Sequence, residues 1–358
     1  MAHRITLIPG DGIGPEVIEA ARRAVEAAGV DVEWDLQEMG AGAFARTGDP
    51  LPRATLDSIR DTGVALKGPV ETPVTSGMRS VNLVMRSELD LYACVRPCRL
   101  YPGVPTYYDR VDLIVVRENT EDMYTGIEFE MGTTGTQELI RFLDVRLERP
   151  MREDTGISVK TISEFGSERI VRFAFDLAVE QGRRLVTAGH KANIMKFTDG
   201  LFLEVARRIA GEFPQVPFEE RIIDALCMQL VQSPERFDVL VLPNFYGDVV
   251  SDVAAGLIGG LGVAPGGHLG EAMAVFEATH GTAPHLAGTN QANPVGAMLS
   301  AGMMLHHIGE PDAGARLNAA IASVLAEGQH LTADLRRRDD GRPAATTIQV
   351  ADAVIAAL

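Results

Sequence analysis

Short apolar runs that recur between stretches of helical periodicity constrain this chain's fold more than any other feature. Arg4–Pro9 is β-branched and apolar, GDGIG (10–14) supplies a tight turn, and Pro15 stands at the start of a helix through EVIEAARRAVEAAG. Gly29 closes that helix, and DVEWDLQEM reads as a second strand. Val64–Leu66, Leu113–Val116, Leu185–Thr187 and Val239–Leu242 read as further buried strands. Helical patterns lie between them, at 167–182 (SERIVRFAFDLAVEQG) and 200–213 (GLFLEVARRIAGEF). Strands alternating with helices predict an α/β protein with a largely parallel sheet. At 358 residues the chain is too long for one ordinary core, and roughly two domains are expected.

Two segments depart from the alternation. From Asp122 to about Lys160 the chain is polar and rich in Gly and Thr, then strand-like (LIRFLDVRLE), which predicts a hairpin-like arm suited to meeting another subunit. From Gly256 a run of turns (GLIGGLGVAPGG) precedes a helical tail, PVGAMLSAGMMLHHIG and GARLNAAIASVLAEG.

The formal net charge of −16 argues against nucleic acid or an anionic membrane as partner, since the long-range field repels both. The N-terminus has no charged segment followed by an apolar one, and nowhere do about 18 apolar residues run together. Three cysteines (Cys94, Cys98, Cys227) give no disulfide framework. Cys94 and Cys98 lack a second pair at zinc spacing and read as buried free thiols. A cytoplasmic protein is expected. A chain this acidic needs a local basic pocket to hold any anionic ligand.

Three arginines are candidates for such a pocket. Arg86 sits among apolar residues in a segment that also carries Ser80, Asn82 and Arg96, so it either snorkels over a helix or faces an anion. Arg117 follows a buried strand directly, at the carboxyl end where α/β proteins bind ligands, with Tyr124 seven residues on. Taken alone, Arg117 with Glu118 is equally an ordinary ion pair. Lys191 and Asn193 lie just past another strand, at the expected start of a helix. A lysine there is either a solvated charge or a proton-transfer group whose pKa neighbouring cations lower.

Asp248 and Asp252 stand at i and i+4, on one face of a helix that follows a strand. Two carboxylates so placed either hold a cation such as Mg2+ or Mn2+, or are an N-cap and a surface residue. Asp224, an acid in the apolar stretch RIIDALCMQL, is a possible third ligand. FEATHGTAPHLAGTNQANP places Gly281, Thr282, Gly288 and Asn293 around His280, in a loop able to wrap a nucleotide through backbone groups. GDGIG is not the G-x-G-x-x-G fingerprint, so a dinucleotide would bind by another route than the Rossmann turn.

The segments IPGDGIGPEV, LKGPVETP, SVNLVMRSELDLYACVRPC, RENTEDMYTGIE, HKANIMKFTDG, NFYGDVVSD and FEATHGTAPHLAGTNQANP, in this order, resemble the β-decarboxylating dehydrogenases of isocitrate, 3-isopropylmalate, homoisocitrate and tartrate. The resemblance covers essentially the whole chain and is closest to NAD-linked isocitrate dehydrogenases. It implies the family's two-domain fold with a central cleft, not a Rossmann fold. The large domain would comprise 1–92 and 259–358, and the small one 93–258, carrying the dimer contacts and the arm at about 122–160.

The resemblance also implies roles. Arg86, Arg96 and Arg117 would clamp the carboxylates of a 2-hydroxy acid. Asp224, Asp248 and Asp252 would hold Mg2+ or Mn2+. Lys191 would take the hydroxyl proton as hydride leaves for the nicotinamide, and Tyr124 would return a proton to carbon after CO2 departs. The active site would be shared across a homodimer, with Lys191, Asn193 and Asp224 reaching it from the partner subunit. Ile13, Lys67, Thr72, Asn82, His280, Gly281, Ala283, His285, Leu286 and Asn293 would line the dinucleotide site.

Ser80 and Asn82 match the pair that receives the distal carboxylate of isocitrate, where isopropylmalate enzymes place apolar residues. Isocitrate is the expected substrate. Homoisocitrate, 3-isopropylmalate, tartrate, malate or a phosphonate analogue would use the same chemistry. NADP-linked relatives carry Lys-Tyr after THGTAP and a further Tyr near the C-terminal helix. His285-Leu286 and Ala333 stand there instead, favouring NAD, although His285 also departs from the Asp usual in NAD-linked relatives and Arg336–Arg338 offers cations for a phosphate. A non-catalytic regulatory subunit is the alternative of another class, and the presence of Tyr124, Lys191, Asp224, Asp248 and Asp252 speaks against it.

Overall fold

The computed structural model describes residues 2–72, 80–146, 150–337 and 341–358. The chain opens with β1 (His3–Ile8), α1 (Gly14–Ala27), β2 (Val32–Leu36), α2 (Ala41–Thr47), α3 (Arg53–Thr62), β3 (Val64–Lys67) and α4 (Val81–Glu88). Two long strands follow, β4 (Ala93–Arg99) and β5 (Asp112–Glu118), then β6 (Glu128–Phe129), α5 (Thr134–Asp144) and β7 (Ile157–Ser158). The middle continues as α6 (Glu164–Glu180), β8 (Val186–His190), α7 (Asp199–Ala210), β9 (Phe218–Ile222) and α8 (Ile223–Gln232). Next come β10 (Val239–Leu242), α9 (Asn244–Leu257), β11 (Gly267–Leu269) and β12 (Ala274–Phe276). The chain ends with α10 (Val295–His307), α11 (Pro311–Glu327) and α12 (Thr347–Ala356).

Ten strands form one sheet in the order β2-β1-β3-β12-β11-β4-β5-β10-β8-β9. The sheet is largely parallel, as expected, but an antiparallel seam interrupts it. β2, β1, β3 and β12 form one parallel block, and β5, β10, β8 and β9 another. Antiparallel β11 and β4 join the blocks. The reason lies in the connections: β11 and β12 are separated by four residues, too few for the crossover that a parallel pair needs. Strands from both ends of the sequence therefore build one half of the sheet, and strands from its middle build the other.

α1 shows why the alternation is legible. Pro15 lies in its first turn, and Val17, Ile18, Ala21, Ala24 and Val25 form its buried face. That face packs with Ile5 and Leu7 of β1 in a core that continues through Leu113, Val115, Leu240 and Met298. A second core lies where Ile170, Ala174 and Phe175 of α6 meet Val116 and Val241.

The arm differs from its expected form. The run LIRFLDVRLE belongs largely to helix α5, with residues 147 and 148 outside the described set. The helix begins earlier, in the Gly/Thr-rich piece, where the Thr133 side chain accepts the Thr136 N–H. Thr136 and Ile140, at i and i+4, then turn inward together. The hairpin shrinks to two paired positions, Glu128 with Ser158 and Phe129 with Ile157. The turn-rich segment after Gly256 also yields a strand, β11, that its glycines concealed.

Candidate active site

Arg117 stands at the carboxyl end of β5 and is 1% exposed. Its Nε and Nη2 donate to Asn244 Oδ1 at 3.0 and 2.7 Å, and its Nη1 pairs with Asp248. The arginine stem reaches α9 only because residue 247 is glycine, where a Cβ would stand 2.4 Å from Arg117 Cγ. Tyr124 comes from the short 3-10 turn Asp122–Thr125 and donates its hydroxyl to the other oxygen of Asp248. The Arg117 guanidinium lies 4.9 Å from the Tyr124 ring centroid.

Arg96, on β4, donates to Ser251 Oγ at 2.5 Å and to Asp252 Oδ1 at 3.4 Å. Asp248 and Asp252 thus share one face of α9, as their spacing predicts, and that face meets the arginines. Burial pushes the Asp248 carboxyl up, but Arg117, Tyr124 and Arg96 outweigh it and hold the group below the usual carboxylate range. Asp252 is raised by burial, which Arg96 offsets only in part. Tyr124 is raised by burial and by its bond to Asp248, so the phenol keeps its proton.

Arg86, on α4, is buried beside the same group. Burial and repulsion from Arg117 both disfavour its charge, a cost that an anion placed between them would offset. Its Nη2 lies 3.5 Å from His268 Nε2 and 3.9 Å from Glu277 Oε1. Glu277 also takes His268 Nε2 at 2.8 Å and pairs with fully buried Lys67, which holds its carboxyl far below the usual range against the cost of burial. Asn82, Arg86, Arg96, His268, Glu277, His280 and Gly281 line a cleft of about 160 Å³. Three shielded polar atoms of its lining, Asn82 Oδ1, Arg86 Nε and His280 Nε2, have no hydrogen-bond partner among the described residues.

The remaining residues lie elsewhere in the chain. Ser80 borders a separate cavity of about 820 Å³ that also reaches Asn119 and Tyr124, so it does not join Asn82 in the small cleft. Lys191 follows β8 directly, but the helix expected there begins only at Asp199, and Asn193 is exposed in the intervening turn. Lys191 Nζ pairs with Asp224, in the first turn of α8. Among the described residues no three His, Cys, Asp or Glu side chains of one chain converge into a metal-binding group. Asp224 pairs with Lys191, whereas Asp248 pairs with Arg117 and Tyr124.

The GDGIG turn meets the THGTAP loop. Ile13 N–H donates to Thr282 O at 2.9 Å, and a Cβ on Gly12, at φ 60°, would stand 2.0 Å from that oxygen. Ala283 adopts φ 38°, His285 is exposed, and Leu286 packs against the core edge. Asn293 is engaged internally, by Asp334 at 2.9 Å and by the Val295 N–H at 3.0 Å. Thr72 Oγ1 accepts the Val81 N–H at 3.2 Å.

Sequence reasoning passed over Asn244, Ser251, His268 and Glu277. Glu277 alone carried a signal, an acid at the end of the buried strand pattern AVFE.

The sequence matches the family described as isocitrate/isopropylmalate dehydrogenase over residues 4–354. The chain is 43% identical to a probable NAD isocitrate dehydrogenase subunit alpha, mitochondrial, of Caenorhabditis elegans, over 93% of this chain and 87% of the relative. It is 45% identical to a chloroplastic 3-isopropylmalate dehydrogenase of Solanum tuberosum, over 91% and 86% of the two chains. The crystal structure of isocitrate dehydrogenase from Methylococcus capsulatus superimposes with a TM-score of 0.90, at 46% identity over 99% of each chain. With one family matched from end to end and its fold reproduced, the chain belongs to the isocitrate/isopropylmalate dehydrogenase family.

Proposed function

We propose that this protein oxidises and decarboxylates isocitrate to 2-oxoglutarate, with NAD as hydride acceptor and Mg2+ or Mn2+ as cofactor. The observation that carries this reading is the small cleft, where buried Arg86, partly buried Arg96 and three polar atoms without a hydrogen-bond partner among the described residues face one space. An apolar ligand would leave those atoms unsatisfied, whereas a ligand with several carboxylates and a hydroxyl completes them.

The residues fit the implied metal. Asp248 and Asp252 offer oxygen donors on one helix face beside a cleft, which suits a hard divalent cation. One chain supplies two of these carboxylates, and the partner subunit's Asp224 would be the third. Held there, such a metal would supply Lewis-acid polarisation of the substrate's oxygens, and NAD would supply the hydride acceptor. Arg86, Arg96 and Arg117 fix the acid's orientation. Lys191, delivered by the partner subunit, takes the hydroxyl proton. Tyr124, a phenol that keeps its proton, gives one to carbon after CO2 leaves.

A homodimer is part of the proposal. Phe197 is 93% exposed, and Ile194, Met228, Val231 and Val249 are exposed apolar side chains on the same turn and helices as Lys191, Asp224 and Asp248. A second copy would cover this surface and bring Lys191 and Asp224 to Asp248. The two halves of the sheet would be the two domains, with 1–92 and 259–358 in the larger. Cytoplasmic residence accords with the free cysteines Cys94, Cys98 and Cys227.

Purified protein with Mn2+, tested on isocitrate, homoisocitrate, 3-isopropylmalate, tartrate and malate while following NADH and NADPH absorbance, decides the matter. Isocitrate with NAD is expected to give the highest kcat/KM. Turnover of 3-isopropylmalate without isocitrate would overturn the assignment of Asn82. Binding without turnover of any acid would point to a non-catalytic subunit.

A further inference from the structure

Lys191 is held by no regular element. β8 ends at His190, α7 begins at Asp199, and the intervening residues form turns. The base of its side chain is nevertheless pinned from both sides. Its carbonyl accepts the N–H groups of Ile194 and Met195, each at 2.9 Å, and its own N–H donates to Asp199 Oδ2 at 2.6 Å. With the backbone fixed, the freedom left to the amine is that of the four-carbon stem.

Asp199 is not an ordinary acid at a helix start. Such residues sit in water and complement the first turn of their helix. Asp199 is 0% exposed and reaches back to Lys191. Its other oxygen meets Lys160 Nζ at 2.7 Å, an ion pair without good hydrogen-bond alignment. Lys160 lies 3.6 Å from the equally buried Asp122 and 4.4 Å from the Tyr246 ring centroid. Two buried carboxylates thus share one mostly buried ammonium.

Asp122 ties the triad to the other half of the chemistry. It opens the 3-10 turn that carries Tyr124, at φ 70°, a strained value for a residue with a Cβ. Its Oδ1 accepts the Met123 N–H and its Oδ2 the Phe245 N–H, both at 2.9 Å. Phe245 lies in the first turn of α9, three residues before Asp248. The same ion triad therefore holds the root of Lys191 and the turn that presents Tyr124 to Asp248.

We infer that Asp199 is a positioning residue for Lys191, and that Lys160, bridging Asp199 to Asp122, fixes the Lys191 turn relative to the Tyr124 turn within each subunit. This rests on the reading of Lys191 as the proton-transfer group of a shared site. Since Lys191 and Tyr124 of one chain would then serve opposite sites of the dimer, the triad is also a rigid link between those sites.

The test compares Asp199→Ala, Asp199→Asn and Lys191→Ala as full-length dimers with isocitrate, NAD and Mn2+. Asp199→Ala frees the Lys191 N–H and should lower kcat about 10- to 100-fold while KM changes less than about threefold, because misplacing a reacting group by roughly 1 Å costs on that order. Asp199→Asn keeps an oxygen acceptor for that N–H and should recover kcat to within about threefold of the parent, a rescue that general loss of packing would not show. If Asp199→Ala yields no dimer, Asp199→Leu fills the same space without an acceptor, leaves Lys160 paired with Asp122, and should show the same fall in kcat. Wild-type kcat in a folded variant lacking the Asp199 side chain would overturn the inference. Retained turnover in Lys191→Ala would instead overturn the reading of Lys191 on which it rests.

Discussion

Arg117 and Asp248 form an ion pair whose arginine is 1% exposed and whose aspartate is 38% exposed. The partners lie on different elements, the carboxyl end of β5 and the second turn of α9, and glycine at 247 lets the arginine pass. One oxygen of the aspartate takes Arg117 and the other the Tyr124 hydroxyl, yet the side chain stays partly exposed, as the metal-ligand role proposed above requires.

Asp248→Asn removes the charge but keeps the shape. Mn2+ should raise the melting temperature of the wild-type protein and raise that of the variant clearly less, since a ligand that binds only the native state stabilises it by mass action. Turnover should fall by at least about 100-fold, as one metal donor is lost. Equal thermal shifts in the two proteins would remove Asp248 from the metal site.

Asn82 Oδ1 is shielded and has no hydrogen-bond partner among the described residues, so no bond there contributes to stability in the absence of ligand. Asn82→Leu should therefore leave the denaturation midpoint nearly unchanged, or raise it. It should lower kcat/KM for isocitrate by about 10- to 100-fold, the worth of one hydrogen bond to a charged ligand. A large loss of stability with unchanged kinetics would make Asn82 a structural residue.

The buried Lys67–Glu277–His268 group sets a pH dependence of stability. Burial raises the Glu277 carboxyl, but Lys67 and His268 outweigh it, so its folded pKa lies below the unfolded value of about 4.3. A depressed carboxylate contributes stability that is fully present above the unfolded pKa and is lost as pH falls toward the folded one. Glu277→Gln should therefore be markedly less stable than wild type at pH 7, and the gap should narrow below about pH 4.3. Urea midpoints at several pH values measure this. A gap that stays constant or widens on acidification would contradict the assigned cause.

Much of the fold was legible because its period is. The buried runs of β1, β3, β5, β8 and β10 stand between amphipathic helices, and Asp248 and Asp252 declare their common helix face by spacing alone. The parts that stayed hidden depend on contacts distant in sequence. β11 pairs with β4 across more than 160 residues and is only three residues long, beginning at Gly267, so nothing local marks it as a strand. The arm's LIRFLDVRLE reads as a strand because apolar residues dominate it, whereas the Thr133 cap, which lies outside that run, starts a helix. Asn244, His268 and Glu277 acquire meaning only once β5, α9, β11 and β12 are assembled around Arg117 and Arg86.

In the proposed dimer each active site joins Arg117, Tyr124 and Asp248 of one chain to Lys191 and Asp224 of another. Lys191→Ala and Asp248→Asn, each nearly inactive alone, can be unfolded together and refolded as a mixture of dimers. In a shared-site dimer the mixed species has one site with both defects and one with neither, so an equal mixture should regain about a quarter of wild-type turnover. A mixture as inactive as its two components would show that each chain builds its site alone.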